Sequence, residues 1–294
     1  MREQISGRPK AAILTWCDNH GPANYGQILQ CYAMQYLVKE KGYDPLVVQY
    51  RKKEMTADCE LLICGSDQIW NPIWFDPVWF LDFGTRKQKR IACAPSGIFY
   101  ETSEYAACFQ KMAPLIERLD EVSIRERVGA DILRKYVKKD IQVRNDPTLF
   151  LGSAQWDQVS DQRLIEEDYI FCYILGRISP YQLILRELKR KYKVGKVVCI
   201  PSNKVEERGY GEFEKYEAAG PAQFLSLIKH AKAVCTDSFH GTALSLKYGV
   251  PFYNVLRAHK GTEAFGGRER IDNLLEGMGM EKRWIRNVRD IYEI

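Results

Sequence analysis

The stretch Ala233-Val-Cys-Thr-Asp-Ser-Phe-His-Gly-Thr-Ala-Leu-Ser-Leu-Lys-Tyr-Gly-Val-Pro-Phe-Tyr-Asn-Val255 decides how the chain is read. Ala233 to Cys235 is a short apolar run, suited to a strand buried on both faces. It breaks into Thr236, Asp237 and Ser238, passes His240-Gly241, and resumes as a helical pattern over Thr242 to Lys247. Gly249-Val250-Pro251 ends that helix, and Phe252 to Val255 reads as the next strand. Strand, polar turn, helix and strand together form a βαβ unit. Ligands of open α/β sheets bind where such strands end, beside helix N-termini that favour anions. The plain alternative is a turn in which Asp237 and Ser238 only cap the helix. A histidine among several polar residues is more than a cap needs.

The same alternation fills the rest of the chain. Ala11 to Thr15 predicts a first strand, Tyr25 to Lys41 a helix, Leu46 to Tyr50 a second strand and Leu61 to Cys64 a third. Strands over Ile91 to Ala94, Glu121 to Ile124 and Ile141 to Val143 alternate with helices over 103–118 and 127–138. Leu151 to Asp168 is polar and weakly patterned. A second series follows: strand Tyr169 to Leu175, helix Pro180 to Tyr192, strand Val197 to Ile200, a charged loop over 202–219 and helix Pro221 to His230. A last helix covers Glu269 to Met278. The expected class is α/β, with two Rossmann-like domains facing a cleft. Their expected limits are residues 1–152 and 169–294, with a linker at 153–168.

Bulk properties narrow the function. The 294 residues are 46% hydrophobic and 28% charged, as in a soluble globular protein, and are enough for two cores. The net charge of +5 is modest and dispersed, which suits an anionic small ligand and leaves room for a peripheral contact with a membrane surface. Arg51-Lys52-Lys53 is one short basic run. Arg186, Lys189, Arg190, Lys191 and Lys193 lie late in a helix and read as a solvated face rather than a nucleic-acid patch. Nine cysteines, with no C-x-x-C pair, argue for a reducing compartment, and the expected location is the cytoplasm. The polar N-terminus Met1 to Lys10 does not resemble a signal peptide, and no apolar run is long enough to span a bilayer.

In a parallel sheet the polar strand ends gather at one edge. The first half offers Asn24-Tyr25-Gly26, Gly65-Ser66-Asp67-Gln68, Ser96-Gly97, Ser123 with Arg125-Glu126, and Asp146; the second offers Gly176-Arg177, Ser202-Asn203 and Asp237-Ser238-His240. Each cluster also suits an ordinary turn. Arg125-Glu126 can be read as a surface ion pair, and Trp70, Trp74 and Trp79 as core or interface packing rather than a sugar platform. No G-x-G-x-x-G follows the first strand and there is no P-loop, which argues against nicotinamide or flavin cofactors. His20, His230 and His259 lack metal-ligand spacing, so no metal is expected. His230 closes a helix.

Several motifs, taken in order, resemble the polysaccharide pyruvyl transferase family. They are Asn24 to Gln30, Gly65 to Pro72, Ser123-Ile124-Arg125-Glu126, Asp146-Pro147-Thr148-Leu149, Thr236 to Gly241, and a late Arg270-Ile271 followed by Leu274-Leu275. The resemblance implies a GT-B-like fold and transfer of a pyruvyl group from phosphoenolpyruvate to a sugar or lipid-linked glycan, giving a ketal. With phosphoenolpyruvate as co-substrate no further cofactor is expected, and the dispersed charge argues against a nucleic-acid partner. By the same resemblance His240 is the acid or phosphate partner and Arg125 the bidentate clamp, both counted as catalytic. Ser238, Gly241, Arg268 and Arg270 bind the donor, while Asn24, Tyr25, Ser66, Asp67 and Gln68 face the acceptor. Some relatives place an arginine where this chain has Ser238, and the stretch between Tyr50 and Leu61 is short. A nucleotide-sugar glycosyltransferase and a non-catalytic glycan- or anion-binding protein remain as alternatives on the same scaffold.

Overall fold

The computed structural model describes residues 7–17, 24–49, 52–201, 210–258 and 268–294; His20, Arg51, Ser202, Asn203 and His259 lie outside them. Contacts divide the chain into two compact units, Met1–Asp18 with Gln27–Phe150 and Asn19–Gly26 with Leu151–Ile294.

The first unit opens with β1 (Lys10–Leu14), α1 (Tyr25–Glu40), β2 (Asp44–Val48) and β3 (Leu61–Cys64). Three short 3-10 turns, Gln68–Trp70, Pro72–Trp74 and Pro77–Phe80, replace a helix before β4 (Lys89–Ala92). Then come α2 (Ser103–Ile116), β5 (Glu121–Ile124), α3 (Arg127–Leu133) and β6 (Gln142–Val143). All pairings are parallel, in the order β2-β1-β3-β4-β5-β6. The apolar run of β3 follows from its position, because all four of its residues are buried. Ala11, Ile13, Leu61 and Ile63 meet Met34 and Val38 of α1 on one face. Ala12, Leu14, Leu62 and Cys64 join the core that contains Phe109, Met112 and Ile116 of α2 on the other.

The second unit contains α4 (Ser153–Asp157), β7 (Tyr169–Tyr173), α5 (Gln182–Lys191), β8 (Lys196–Cys199) and β9 (Glu214–Lys215). It continues with α6 (Pro221–Lys229), β10 (Ala233–Thr236), α7 (Phe239–Tyr248), β11 (Phe252–Asn254) and α8 (Arg268–Glu276). Its parallel sheet runs β11-β10-β7-β8-β9, which puts β7 and β11 on either side of β10. Among the described residues no helix is long and apolar enough to cross a membrane. The described residues include all nine cysteines, and none is in a disulfide.

Three departures from the sequence reading have physical causes. The stretch expected as a linker at 153–168 is packed into the second unit, whose longer segment begins at Leu151. Trp156 of α4 is fully buried, Ser226 Oγ donates to Gln162 O at 2.7 Å, and Asp161 N donates to Ala222 O at 3.2 Å. One tryptophan and backbone bonds to α6 anchor this segment, so it shows no apolar period. Next, α7 begins three residues before the apolar pattern does, because Ser238 Oγ accepts from Gly241 N at 3.3 Å and caps the first turn. Finally, β9 lies in the stretch read as a charged loop. With only Glu214 and Lys215, both exposed, it has no alternation to detect.

Trp156→Ala is expected to destabilise the second unit by about 3–5 kcal/mol, the scale of an aromatic truncation in a packed site. Chemical denaturation measures the loss, and limited proteolysis should then cut first within 153–168.

Candidate functional site

In the second unit, the strand end that opens the sequence reading is organised by Asp237. Its carboxylate accepts Leu175 N at 2.7 Å and Gly176 N at 2.8 Å, the two amides that follow β7 and the residue after it. Arg257, three residues beyond β11, donates from Nε to Asp237 Oδ2 at 3.2 Å and from a terminal nitrogen to Asp237 O at 3.1 Å. One buried carboxylate therefore ties the ends of three neighbouring strands. Two amide donors and a guanidinium offset the desolvation of its charge. Tyr181 lies close enough that burial, and then the Asp237 charge, push its hydroxyl up to about 12. The close packing extends to Gly176, where an added Cβ would lie 2.6 Å from Ala258 O.

The polypeptide then turns into α7. Thr236 Oγ1 donates to Tyr173 O at 2.6 Å and accepts Ser238 N at 3.0 Å. Gly241 packs on the same threonine, where an added Cβ would stand 2.6 Å from Oγ1. Asn254 Nδ2 donates to Thr242 Oγ1 at 2.9 Å, fixing the first turn of α7 to β11. His240, the second residue of this helix, is buried, and its ring meets the Phe239 ring edge-on at 5.3 Å. The Gly26 backbone lies directly against the imidazole, since a Cβ there would sit 2.0 Å from Nδ1 and 2.7 Å from Cε1. Tyr25 beside it stacks on Tyr173 at 6.2 Å and packs on Phe224 at 5.2 Å, and its hydroxyl donates to Ala219 O at 2.7 Å. Burial raises the Tyr25 hydroxyl above its ordinary pKa.

The strand ends of the first unit hold a second polar network. Arg125, just past β5, forms an ion pair with Asp146 and donates to Ser66 Oγ; the two charged side chains are 3% and 0% exposed. Asp146 also accepts Ser66 Oγ at 3.0 Å, Thr148 N at 2.8 Å and Thr148 Oγ1 at 2.6 Å. Glu126 is buried too and accepts from Ser96 Oγ. Arg125-Glu126 is therefore not the surface ion pair that one reading of the sequence allowed. Each residue pairs with a different, distant partner. Next to this network Asp67 adopts φ 85°, a left-handed conformation that costs energy for a residue with a side chain. Its Oδ1 accepts Gln68 N at 2.8 Å, and its backbone O accepts Ser96 N at 2.7 Å.

The residues expected to form the site separate into groups. Ser238, His240 and Gly241 share the first turn of α7, with Tyr25 and Gly26 packed into the same unit. Ser238 is committed to capping that helix, and Tyr25 to an aromatic cluster. Arg125 and Ser66 are buried in the first-unit network, with Asp67 and Gln68 beside it, whereas Asn24 is half-buried and belongs to the second unit. Arg268 and Arg270 are on α8. Arg270 is buried there, whereas Arg268 donates to Asp272 Oδ2 at 3.0 Å and lies over the Trp284 ring at 5.5 Å. The sequence reading gave no role to Arg257 and no particular one to Gly26. Arg257 has no motif around it, and its partner is twenty residues upstream. Gly26, inside a motif, was the more legible of the two.

Comparison with known proteins agrees with this architecture. The sequence profile described as polysaccharide pyruvyl transferase matches residues 24–259. No protein of curated function matches the sequence. A putative UDP-N-acetylglucosamine 2-epimerase from Listeria monocytogenes superposes with a TM-score of 0.56 at 10% identity, covering 94% of this chain and 89% of that one. S. aureus MnaA, solved with UDP, gives 0.53 at 9% identity, with the same coverages of 94% and 89%. UDP-GlcNAc 2-epimerase from Methanocaldococcus jannaschii gives 0.50 at 10% identity, covering 90% and 91%. At such identities the likeness is one of fold, the GT-B-like pair of Rossmann-like units.

Asp146→Ala would strand Arg125 as a buried unpaired charge, with an expected loss of about 3–5 kcal/mol in urea denaturation. Arg125→Met with Asp146→Leu in the same chain should recover most of it. A double variant as unstable as the single one would show that the pair does more than neutralise itself.

Proposed function

Because the chain belongs to the polysaccharide pyruvyl transferase family, we propose that this transferase moves the pyruvyl group of phosphoenolpyruvate onto two hydroxyls of a sugar in a polysaccharide or its precursor. The observation that carries the proposal is the placement of His240, a buried imidazole on the first turn of α7, held between Phe239 and the Gly26 backbone. The positive end of a helix attracts phosphate and carboxylate, and an imidazole there can hold or deliver a proton.

A sugar hydroxyl adds to C2 of phosphoenolpyruvate as a proton is delivered to the C3 methylene, which becomes a methyl group. The C2–O bond to phosphate breaks, leaving an oxocarbenium ion that a second hydroxyl of the same sugar attacks. The products are the cyclic ketal and inorganic phosphate, and the hydroxyl protons balance the one gained at C3 and the charge on phosphate. His240 is the proton donor or the phosphate partner, and the N-terminus of α7 stabilises the anion as charge builds on it. Asp237 and Arg257 take no part in bond making. They hold the turn that aims His240, and are positioning residues. Arg125 likewise keeps the strand ends of its own unit in place through Asp146 and Ser66.

Two variants test this reading. His240→Asn should lower phosphate release from phosphoenolpyruvate plus acceptor by about 10²–10⁴, the usual share of a general acid, while the melting temperature stays near that of the parent. Gly26→Ala would place a methyl group on the imidazole and should depress turnover in the same assay. Parental turnover in His240→Asn would overturn the assignment. Phosphoenolpyruvate should raise the melting temperature and a UDP-sugar should not; the reverse result would favour a nucleotide-sugar glycosyltransferase.

A further inference from the structure

Three tryptophans at the strand ends of the first unit grade from core to surface. Trp79 is buried, Trp16 is half-buried, and Trp74 is 40% exposed. Trp16 meets Trp79 edge-on at 6.2 Å and leans on Trp74 at 5.7 Å with 32° between the ring planes. Trp16 follows β1 and Trp74 follows β3, which are parallel neighbours, so both come from the carboxyl edge of the sheet. Trp74 is exposed but pinned, because its Nε1 donates to Gln68 O at 3.0 Å. The N–H of the same Gln68 donates to Asp67 Oδ1. Both backbone groups of one residue thus fix an indole and a carboxylate to the same short turn.

Two features of that turn go beyond packing. Asp67 holds a left-handed backbone that glycine would adopt at less cost. Its Oδ2 is buried and has no hydrogen-bond partner among the described residues, a state that costs free energy unless a donor arrives. A pyranose supplies what the pair lacks. It has an apolar C–H face that covers an indole, and hydroxyl donors at its edge for a carboxylate oxygen.

We infer that Trp74, backed by Trp16 and flanked by Asp67, is the platform on which a pyranose ring of the acceptor glycan stacks. This rests on the transferase reading above and adds to it the residue that holds the sugar ring. Trp70 takes no part, being buried and stacked on Phe80 at 4.8 Å.

The test is calorimetric titration, without phosphoenolpyruvate, of methyl glycosides of galactose, glucose, mannose and N-acetylmannosamine. One or more should bind. Trp74→Ala should weaken that binding about tenfold, the scale of one aromatic contact, and Trp74→Phe should restore most of it. Asp67→Asn should weaken it as well, and none of the three should alter the thermal shift given by phosphoenolpyruvate. If no glycoside binds the parent, or if Trp74→Ala binds as the parent does, the platform is refuted. Parental Trp74→Ala affinity with intact pyruvyl transfer would refute the platform alone. Tryptophan-dependent glycoside binding with no response to phosphoenolpyruvate would refute the pyruvyl reading and leave the platform standing.

Discussion

Asp237 is the constraint on which the second unit depends. β7, β10 and β11 are adjacent and parallel, so their carboxyl ends point the same way and would leave amides, carbonyls and a charge to be satisfied within one small volume. A carboxylate at the end of the central strand meets that need by accepting two amides from one neighbour and a guanidinium from beyond the other. Once the three ends are joined, the chain leaving β10 has a fixed start. Thr236 and Ser238 shape the first turn of α7, and the imidazole of His240 lies against Gly26, a residue with no side chain. The position of His240 is thus a consequence of backbone satisfaction three residues away.

The first unit solves the same problem with different groups. Asp146 gathers Arg125, Ser66 and Thr148, and the ion pair is almost fully buried. Buried pairs of this kind add little net stability but tolerate few alternatives, because either charge alone is costly. They therefore suit strand ends that must keep one geometry. Strain at Asp67 is maintained by this surrounding order: its carbonyl accepts Ser96 N, and Ser96 in turn accepts Trp70 N. The rigidity lies beneath the turn that carries Trp74.

Much of this was readable from the residues, and what was not has identifiable causes. β3 and β5 have the limits that their apolar runs indicated, since a strand buried between neighbours must be apolar and turn residues punctuate it. That Ser238, His240 and Gly241 lie together where β10 gives way to α7 also followed from local spacing, although the helix starts three residues before its apolar pattern. Long-range pairing did not. Nothing near Arg257 signals its bond to Asp237, and nothing near Asp146 names Arg125 as its partner. Tyr25 was expected to face a sugar but is held by rings from β7 and α6, because whether an aromatic lies in a core depends on distant neighbours. The tryptophans show the same limit. Trp70 and Trp79 are core, as the plain reading had it, while Trp74 is exposed and pinned by a single carbonyl.

Protonation of C3 of phosphoenolpyruvate as C2 joins a sugar, the step proposed for this protein, leaves an isotopic record in the product. The most direct measurement is the reaction in deuterium oxide, with phosphoenolpyruvate and a panel of free and lipid-linked sugars, followed by NMR and mass spectrometry of the glycan. The expected result is a ketal whose methyl group carries one solvent-derived deuteron, formed together with an equal amount of inorganic phosphate. Phosphoenolpyruvate left intact across the whole panel, or a glycan product whose former methylene carries no solvent deuteron, would rule out this chemistry.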